Sequence, residues 1–215
     1  YVGELTQLIA GSDDPYARGA LAYVIGFGQI QRGDPAPAIR TLTVGMQIAD
    51  ADPVLIRMSL RTRQLLVYAF NLLGDDERAA QHCAEIVAFS TSAQECYFLS
   101  FAHQMFALYA WRRKERRAAY DHVTIALDNC LGFPNRPENI DLLIVRALLE
   151  ERWGDPGRAE ILLAAAGHAD QVELRPATAT ATDAADIVAT ISARTTTTAR
   201  TIGTSMTARE AIVFA

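Results

Sequence analysis

The chain has 215 residues, 50% of them apolar and 21% charged, with a formal net charge of −5. That composition can bury a substantial core, while basic residues scattered among a slight acidic excess create no field that would draw the chain onto phosphate backbones. No apolar run approaches the roughly 20 residues that span a bilayer, and Tyr1-Val2-Gly3-Glu4-Leu5 lacks the charged-then-apolar pattern of a signal peptide, so the expectation is a cytoplasmic protein, excised from a longer one, that touches neither membrane nor nucleic acid directly.

Along the chain one short phrase returns four times: Gly33-Asp34-Pro35-Ala36-Pro37-Ala38, Gly74-Asp75-Asp76-Glu77-Arg78-Ala79, a worn copy Arg113-Lys114-Glu115-Arg116-Arg117-Ala118, and Gly154-Asp155-Pro156-Gly157-Arg158-Ala159. The first residues are 41, 39 and 41 apart. A period in this range marks a helical repeat array, whose units bury their apolar faces by stacking on neighbours.

Each phrase reads as the hinge of a helical hairpin. Gly just past a helix end accepts the left-handed conformation, and the Asp beside it suits the cap of the next helix. Apolar residues at three- and four-residue steps predict first helices over 17–31, 56–73, 97–111 and 139–153, and second helices over 37–49, 78–89, 117–130 and 158–168. The small Ala38, Ala79, Ala118 and Ala159 would let the helices of each hairpin approach closely. Turn formers at 50–53, 90–92 and 132–137 predict the loops between hairpins. The third hinge, with Arg113 and Lys114 in place of Gly-Asp, is expected to have a different shape.

The pattern resembles the tetratricopeptide family in its long-period form. More narrowly, Ala107-Leu108-Tyr109-Ala110-Trp111-Arg112-Arg113 leading into Arg117-Ala118-Ala119, then Gly154 through Ala166, resembles the last repeats of bacterial multidomain regulators related to the maltose-regulon activator and the LuxR-type ATPase regulators. The resemblance covers residues 15–168. It implies an all-α fold: a right-handed α-solenoid of about four hairpins, with a repeat domain over 1–168, a linker over 169–182 and a short C-terminal helical segment over 183–215. It also implies a non-catalytic interaction or sensory module that binds a protein partner or other domains of the same regulator.

Beyond the repeats, Ile187, Val188 and Ile191 predict a short helix. For Thr195-Thr196-Thr197-Thr198 the β-branched composition opposes a helix, whereas the resemblance favours one, and helix is adopted. Thr207 and Glu210 stand at capping-box spacing, so a helix should start there. This last segment also resembles the opening of a LuxR-type DNA-binding domain, without the recognition helix that would enter a groove.

Among candidate contacts, Arg61 and Arg63 fall on a first helix and are expected to face a partner. Tyr68, His103 and Tyr109 would supply polar contacts if the aromatic-rich third hairpin enclosed a small-molecule effector, since their tips can hydrogen-bond while their rings stay buried; the alternative for those aromatics is core. The basic cluster Arg112, Arg113, Lys114, Arg116 and Arg117 could hold an anion, but is read as cations completing a helix C-terminus.

His82, His103, His122 and His168 include no pair at i, i+4, and His82 and Cys83 point to different helix sides, so no metal or cofactor is expected. Cys83, Cys96 and Cys130 are an odd number without CxxC pairing and read as buried free thiols in a reducing compartment. Glu150 and Glu151 read as a solvated helix face. There is no GxxxxGK[ST], GxSxG or HExxH, so no enzyme is expected. An apolar end of the array would also offer a surface for a homodimer.

Overall fold

Helix is the only regular structure among the described residues. The computed structural model describes residues 12–134, 139–169 and 182–215, with the backbone alone at 168, 169 and 182–185. They divide into two compact units, one ending at Ala93 and the other beginning at Gln94.

The first unit contains α1 (Pro15–Gln31), α2 (Pro35–Asp50), a single 3-10 turn (Pro53–Leu55), α3 (Ile56–Leu72) and α4 (Asp76–Ala93). Asp14 caps α1 by accepting from the amides of Tyr16 and Ala17, and Pro15 at the first position fits a helix start that needs no amide donor. Each helix packs on the next, burying Leu42, Leu60, Leu66, Val67 and Ile86. The loop expected at 90–92 is instead the last turn of α4. There the Thr91 and Ser92 hydroxyls donate back to the Val87 and Phe89 carbonyls, at 2.8 Å each, which lets these residues remain helical. The break falls at Gln94, with φ +57°.

The second unit contains α5 (Cys96–Arg112), α6 (Arg116–Cys130), α7 (Asn139–Trp153), α8 (Pro156–Ala169), α9 (Thr182–Arg194), α10 (Thr197–Ser205) and α11 (Ala208–Phe214). The pairs α5 with α6 and α7 with α8 are the two hairpins, and α10 lies along α8. Leu108, Val123, Leu148 and Leu162 form one core with Ile191 of α9 and Ile212 of α11, so the last helices share that core. Of the expected loop at 132–137, residues 135–137 lie outside the described ones, as does most of the linker over 169–182. Asn139 closes the described part, its Nδ2 donating to the carbonyls of Phe133 at 3.0 Å and Pro134 at 3.1 Å.

The threonine run divides rather than continuing as helix: Thr195 and Thr196 are non-helical, and the Thr196 hydroxyl caps α10 by accepting from the Ala199 amide at 3.1 Å. The capping box of α11 is present, with the Glu210 amide on Thr207 Oγ1 at 3.3 Å and the Thr207 amide on Glu210 Oε2 at 2.8 Å. Cys83 and Cys130 are buried, and burial pushes the Cys130 thiol up to about 11. Cys96, expected to be buried, is exposed at the start of α5.

The hinges give a register different from the one expected. Gly33 and Gly74 adopt φ of +76° and +71°, and in the third hinge Lys114, not Arg113, takes that place with φ +62°. The amides of Gly33, Gly74 and Lys114 reach back to the carbonyls of Ile30, Asn71 and Trp111, and those of Asp34, Asp75 and Glu115 to Gln29, Phe70 and Ala110. This is the hydrogen-bond pair of a left-handed helix terminus. The third hinge therefore has the shape of the first two, and its small residue is Ala119 rather than Ala118. Ala38, Ala79, Ala119 and Ala159 all have 0% exposure, and their amides bond Asp34, Asp75, Glu115 and Asp155 carbonyls in turn. The fourth hinge is the divergent one: Gly154 is not among the glycines with positive φ, and the Asp155 amide is taken by the Glu150 carboxylate at 3.0 Å.

Candidate functional site

In the first unit, α3 carries three of the expected contact residues, and they divide between interior and surface. Arg63 is 4% exposed. Its Nη1 and Nη2 donate to Asp50 Oδ1 and Oδ2 at 2.7 Å each, its Nε donates to Glu85 Oε2 at 2.8 Å, and Nη1 also reaches the Ser59 hydroxyl. The guanidinium lies 4.7 Å from the centroid of the Phe89 ring, and His82 Nδ1 lies 3.2 Å from the same Glu85 oxygen. Four of the five N–H groups of the fork are taken by Asp50, Glu85 and Ser59, so Arg63 ties α2 and α4 to α3 from the interior and not from a partner-facing surface. Burial alone would raise the Asp50 carboxyl, but the hydrogen bonds from Arg63 and Ser59 and the Arg63 charge outweigh it and hold Asp50 below the usual carboxylate range.

Arg61 is exposed, and Tyr68 follows seven residues later on the same face of α3, with the buried Gln64 between them. Tyr68 is half-buried, its hydroxyl 3.5 Å from Gln64 Nε2. This face, led by a solvated guanidinium, is what remains of the expected partner surface.

In the second unit, Tyr109 is 0% exposed, and Phe98, Phe101 and Trp111 are buried with it. These aromatics of the third hairpin are therefore core rather than the lining of an open pocket. His103 behaves differently. It is half-buried, and its Nδ1 lies 3.0 Å from Nδ1 of His122 on α6. Burial, then the neighbouring His122, pushes His103 below the ordinary imidazole value; burial also lowers His122, where Asp121 raises and Arg113 lowers it further. Residue spacing within one helix could not show this pair, which the α5–α6 hairpin creates.

The basic turn is largely internally compensated. Arg113 pairs with Glu115 at 3.0 Å and Arg117 with Asp121 at 3.8 Å, while Arg152 donates to the Trp111 carbonyl at 2.7 Å and lies 4.7 Å from the Trp111 ring centroid. Arg152 thus closes the exposed carbonyl end of α5, the role of a cation at a helix C-terminus. Glu150 and Glu151 depart from the solvated face expected of them: Glu150 is 5% exposed and pairs with Arg146 at 2.6 Å, and Glu151 pairs with Arg194.

One concave feature went unread in the sequence. A cleft of about 330 Å³ opens between α8, α9 and α10, lined by Leu163, Ala164, Gly167, Ser192, Thr195, Arg200 and Thr204. Its lining combines the apolar Leu163 and Ala164 with three hydroxyl residues and an arginine. Among the described residues no carboxylate pairs with Arg200, no three His, Cys, Asp or Glu gather as a metal site, and no helix is long and apolar enough to cross a membrane.

Fold and surface together define an all-α, helical repeat-like protein. No family model matches the chain, and no curated protein or solved structure matches it either.

Proposed function

We propose that the chain is a protein-interaction and sensory module, its hairpins stacked as a right-handed tetratricopeptide-like solenoid, within a bacterial transcriptional regulator. The single observation that carries this reading is the hinge: three left-handed helix ends with one hydrogen-bond pattern, and four buried alanines in one register. Repeats of this kind present side chains from successive first helices to a partner, and a shift between their arrangements can release or clamp a neighbouring domain. Exposed Arg61 and half-buried Tyr68 on α3 are the contact residues the reading selects. It is tested by measuring binding of this chain to the ATPase module of the regulator that carries it, each expressed separately. Binding that falls at least about tenfold in Arg61→Glu, with helicity unchanged, supports it; absence of binding at high micromolar concentration overturns it.

The cleft beside α8 favours a second reading, in which the module senses a small carboxylate or phosphate compound. A guanidinium matches such anions in a planar fork, and Ser192, Thr195 and Thr204 add hydroxyls around it. A ligand bound only by the folded state raises its stability with concentration. A thermal shift with an anionic metabolite, lost in Arg200→Ala, would carry this second reading; no shift across a panel of such anions would end it.

A further inference from the structure

The α5–α6 hairpin sets two imidazoles end to end. His103 on α5 and His122 on α6 are both half-buried, and their Nδ1 atoms lie 3.0 Å apart. The ring centroids are 5.3 Å apart, which is that separation plus the reach of each ring, so the two nitrogens meet head-on along one line. Phe106 flanks both, its ring 5.2 Å from that of His122 and 6.1 Å from that of His103. A nitrogen pair at this distance is a hydrogen bond, with one proton held between the rings. One imidazole therefore carries its hydrogen on Nδ1 and donates, while the other carries it on Nε2 and accepts.

We propose that this shared proton makes the hairpin a pH-sensitive latch, closed while at least one of the two histidines is neutral and opened when both are protonated. A first added proton goes to Nε2 of the donating ring, which leaves the Nδ1 bond in place and makes it charge-assisted. A second can enter only at the accepting Nδ1, where it removes the acceptor and sets two N–H groups and two positive charges against each other. The two steps belong to the pair and not to either ring. Burial, then the neighbouring His122, pushes His103 below the ordinary imidazole value, and burial pushes His122 the same way. In acid the unfolded chain therefore takes up protons that the folded pair refuses. The stability the pair contributes is full above the ordinary imidazole value and is lost as pH falls toward the lower, folded values.

Few other charges reach the two rings. Asp121 favours protonation of His122 and Arg113 opposes it, with Glu115 3.0 Å from Arg113 offsetting part of that opposition. The helices packed on the hairpin within this unit are α7 and α11. Of their charged groups, Arg146 is engaged with Glu150, Glu151 with Arg194, Arg152 with the Trp111 carbonyl and Glu210 in its capping box. Neither Asp141 nor Arg209 is among the charges that move either imidazole.

The test is urea unfolding of the whole chain followed by tryptophan fluorescence. Both tryptophans, Trp111 and Trp153, lie in the second unit, so the signal reports the unit that holds the latch. His103→Ala, His122→Ala and the double variant are compared with the parent at about pH 7.5 and about pH 5, on either side of the ordinary imidazole value. The coupling between the two positions should favour the folded state about fivefold at the higher pH, as one net hydrogen bond does, and should vanish or reverse at the lower. Coupling of the same size at both pH values overturns the latch, and so does its absence at the higher one. If a variant folds poorly, the ring-nitrogen resonances of the unaltered chain decide. Near neutrality His103 and His122 should show opposite tautomers, and the second proton should enter below the ordinary imidazole value. Identical tautomers, or two independent midpoints at the ordinary value, overturn it as well.

Discussion

Lys114 occupies the backbone place that Gly74 occupies one repeat earlier, with φ of +62° against +71° and the same pair of amide bonds to the preceding helix. A side chain in that conformation crowds its own carbonyl, at a cost of about 1 kcal/mol relative to Gly. Lys114→Gly should therefore stabilise the second unit by about 0.5 to 1 kcal/mol, the greater freedom of Gly in the unfolded chain offsetting part of the gain. Gly74→Ala should cost the first unit about 1 kcal/mol. Nothing lies within 4 Å of an added Cβ at Gly74, so that cost is purely conformational. Urea denaturation followed by helicity measures both, and a Lys114→Gly protein weaker than its parent would contradict the register.

The register makes a second prediction, one that the spacing of the phrases alone would misplace. Ala119, with 0% exposure, faces the crossing of α5 and α6, whereas Ala118 is only half-buried. Ala119→Leu should overpack that crossing at about 1 to 3 kcal/mol, and Ala118→Leu should cost less than half as much. Equal losses in the two denaturation curves would return the hinge to the position read from sequence.

For Arg61 and Arg63 the structure separates two cations of one helix. Removing Arg63 takes the partner from the part-exposed Asp50 and Glu85 carboxylates and leaves a gap at a buried position, and should cost about 1 to 3 kcal/mol, while Arg61→Ala should stay within about 0.5 kcal/mol. The pH dependence follows from Asp50, whose folded value lies below its ordinary 3.8. Its stabilising contribution is fully present above the unfolded value and is lost as pH falls through the lower, folded one. The stability gap between the unaltered chain and Asp50→Asn should thus be constant near neutrality and close in acid. A gap that widens on acidification would show that Asp50 is not held by Arg63.

Period and capping chemistry were legible because they act within a few residues: the Thr207 cap, the Gly33 and Gly74 hinges and the helices between them can be read from local composition. The third hinge was displaced by one residue because no glycine marked it, and only the carbonyls accepting from Lys114 and Glu115 reveal its place. The Arg63 network was illegible for another reason. Apolar periodicity locates a buried face but not the polar groups that satisfy one another inside it, and Asp50 and Glu85 approach Arg63 from two other helices. His103 and His122 were missed because spacing was weighed along single helices. Only the antiparallel pairing of α5 with α6 brings those two positions together.

The final prediction sets packing against propensity at Gly203 on α10. In an isolated helix Gly203→Ala would gain about 1 kcal/mol, since Ala is the better helix former. Here an added Cβ would stand 2.5 Å from the Ile161 carbonyl oxygen, 2.6 Å from Ala164 Cβ and 2.8 Å from the Ala165 amide nitrogen of α8. Two of those three atoms are backbone and cannot turn aside, so α10 must lift away from α8. The substitution should therefore destabilise by about 1 to 3 kcal/mol, and amide hydrogen exchange should quicken along α10 before it does in α5 or α6. Glu160 gives an independent reading of the same contact, because its carboxylate holds the Thr196 amide at 3.0 Å and Arg194 Nε at 3.2 Å. Glu160→Gln should loosen the start of α10 in the same exchange experiment. If Gly203→Ala instead raised stability, propensity would have won, and the close approach of α10 to α8 would be wrong.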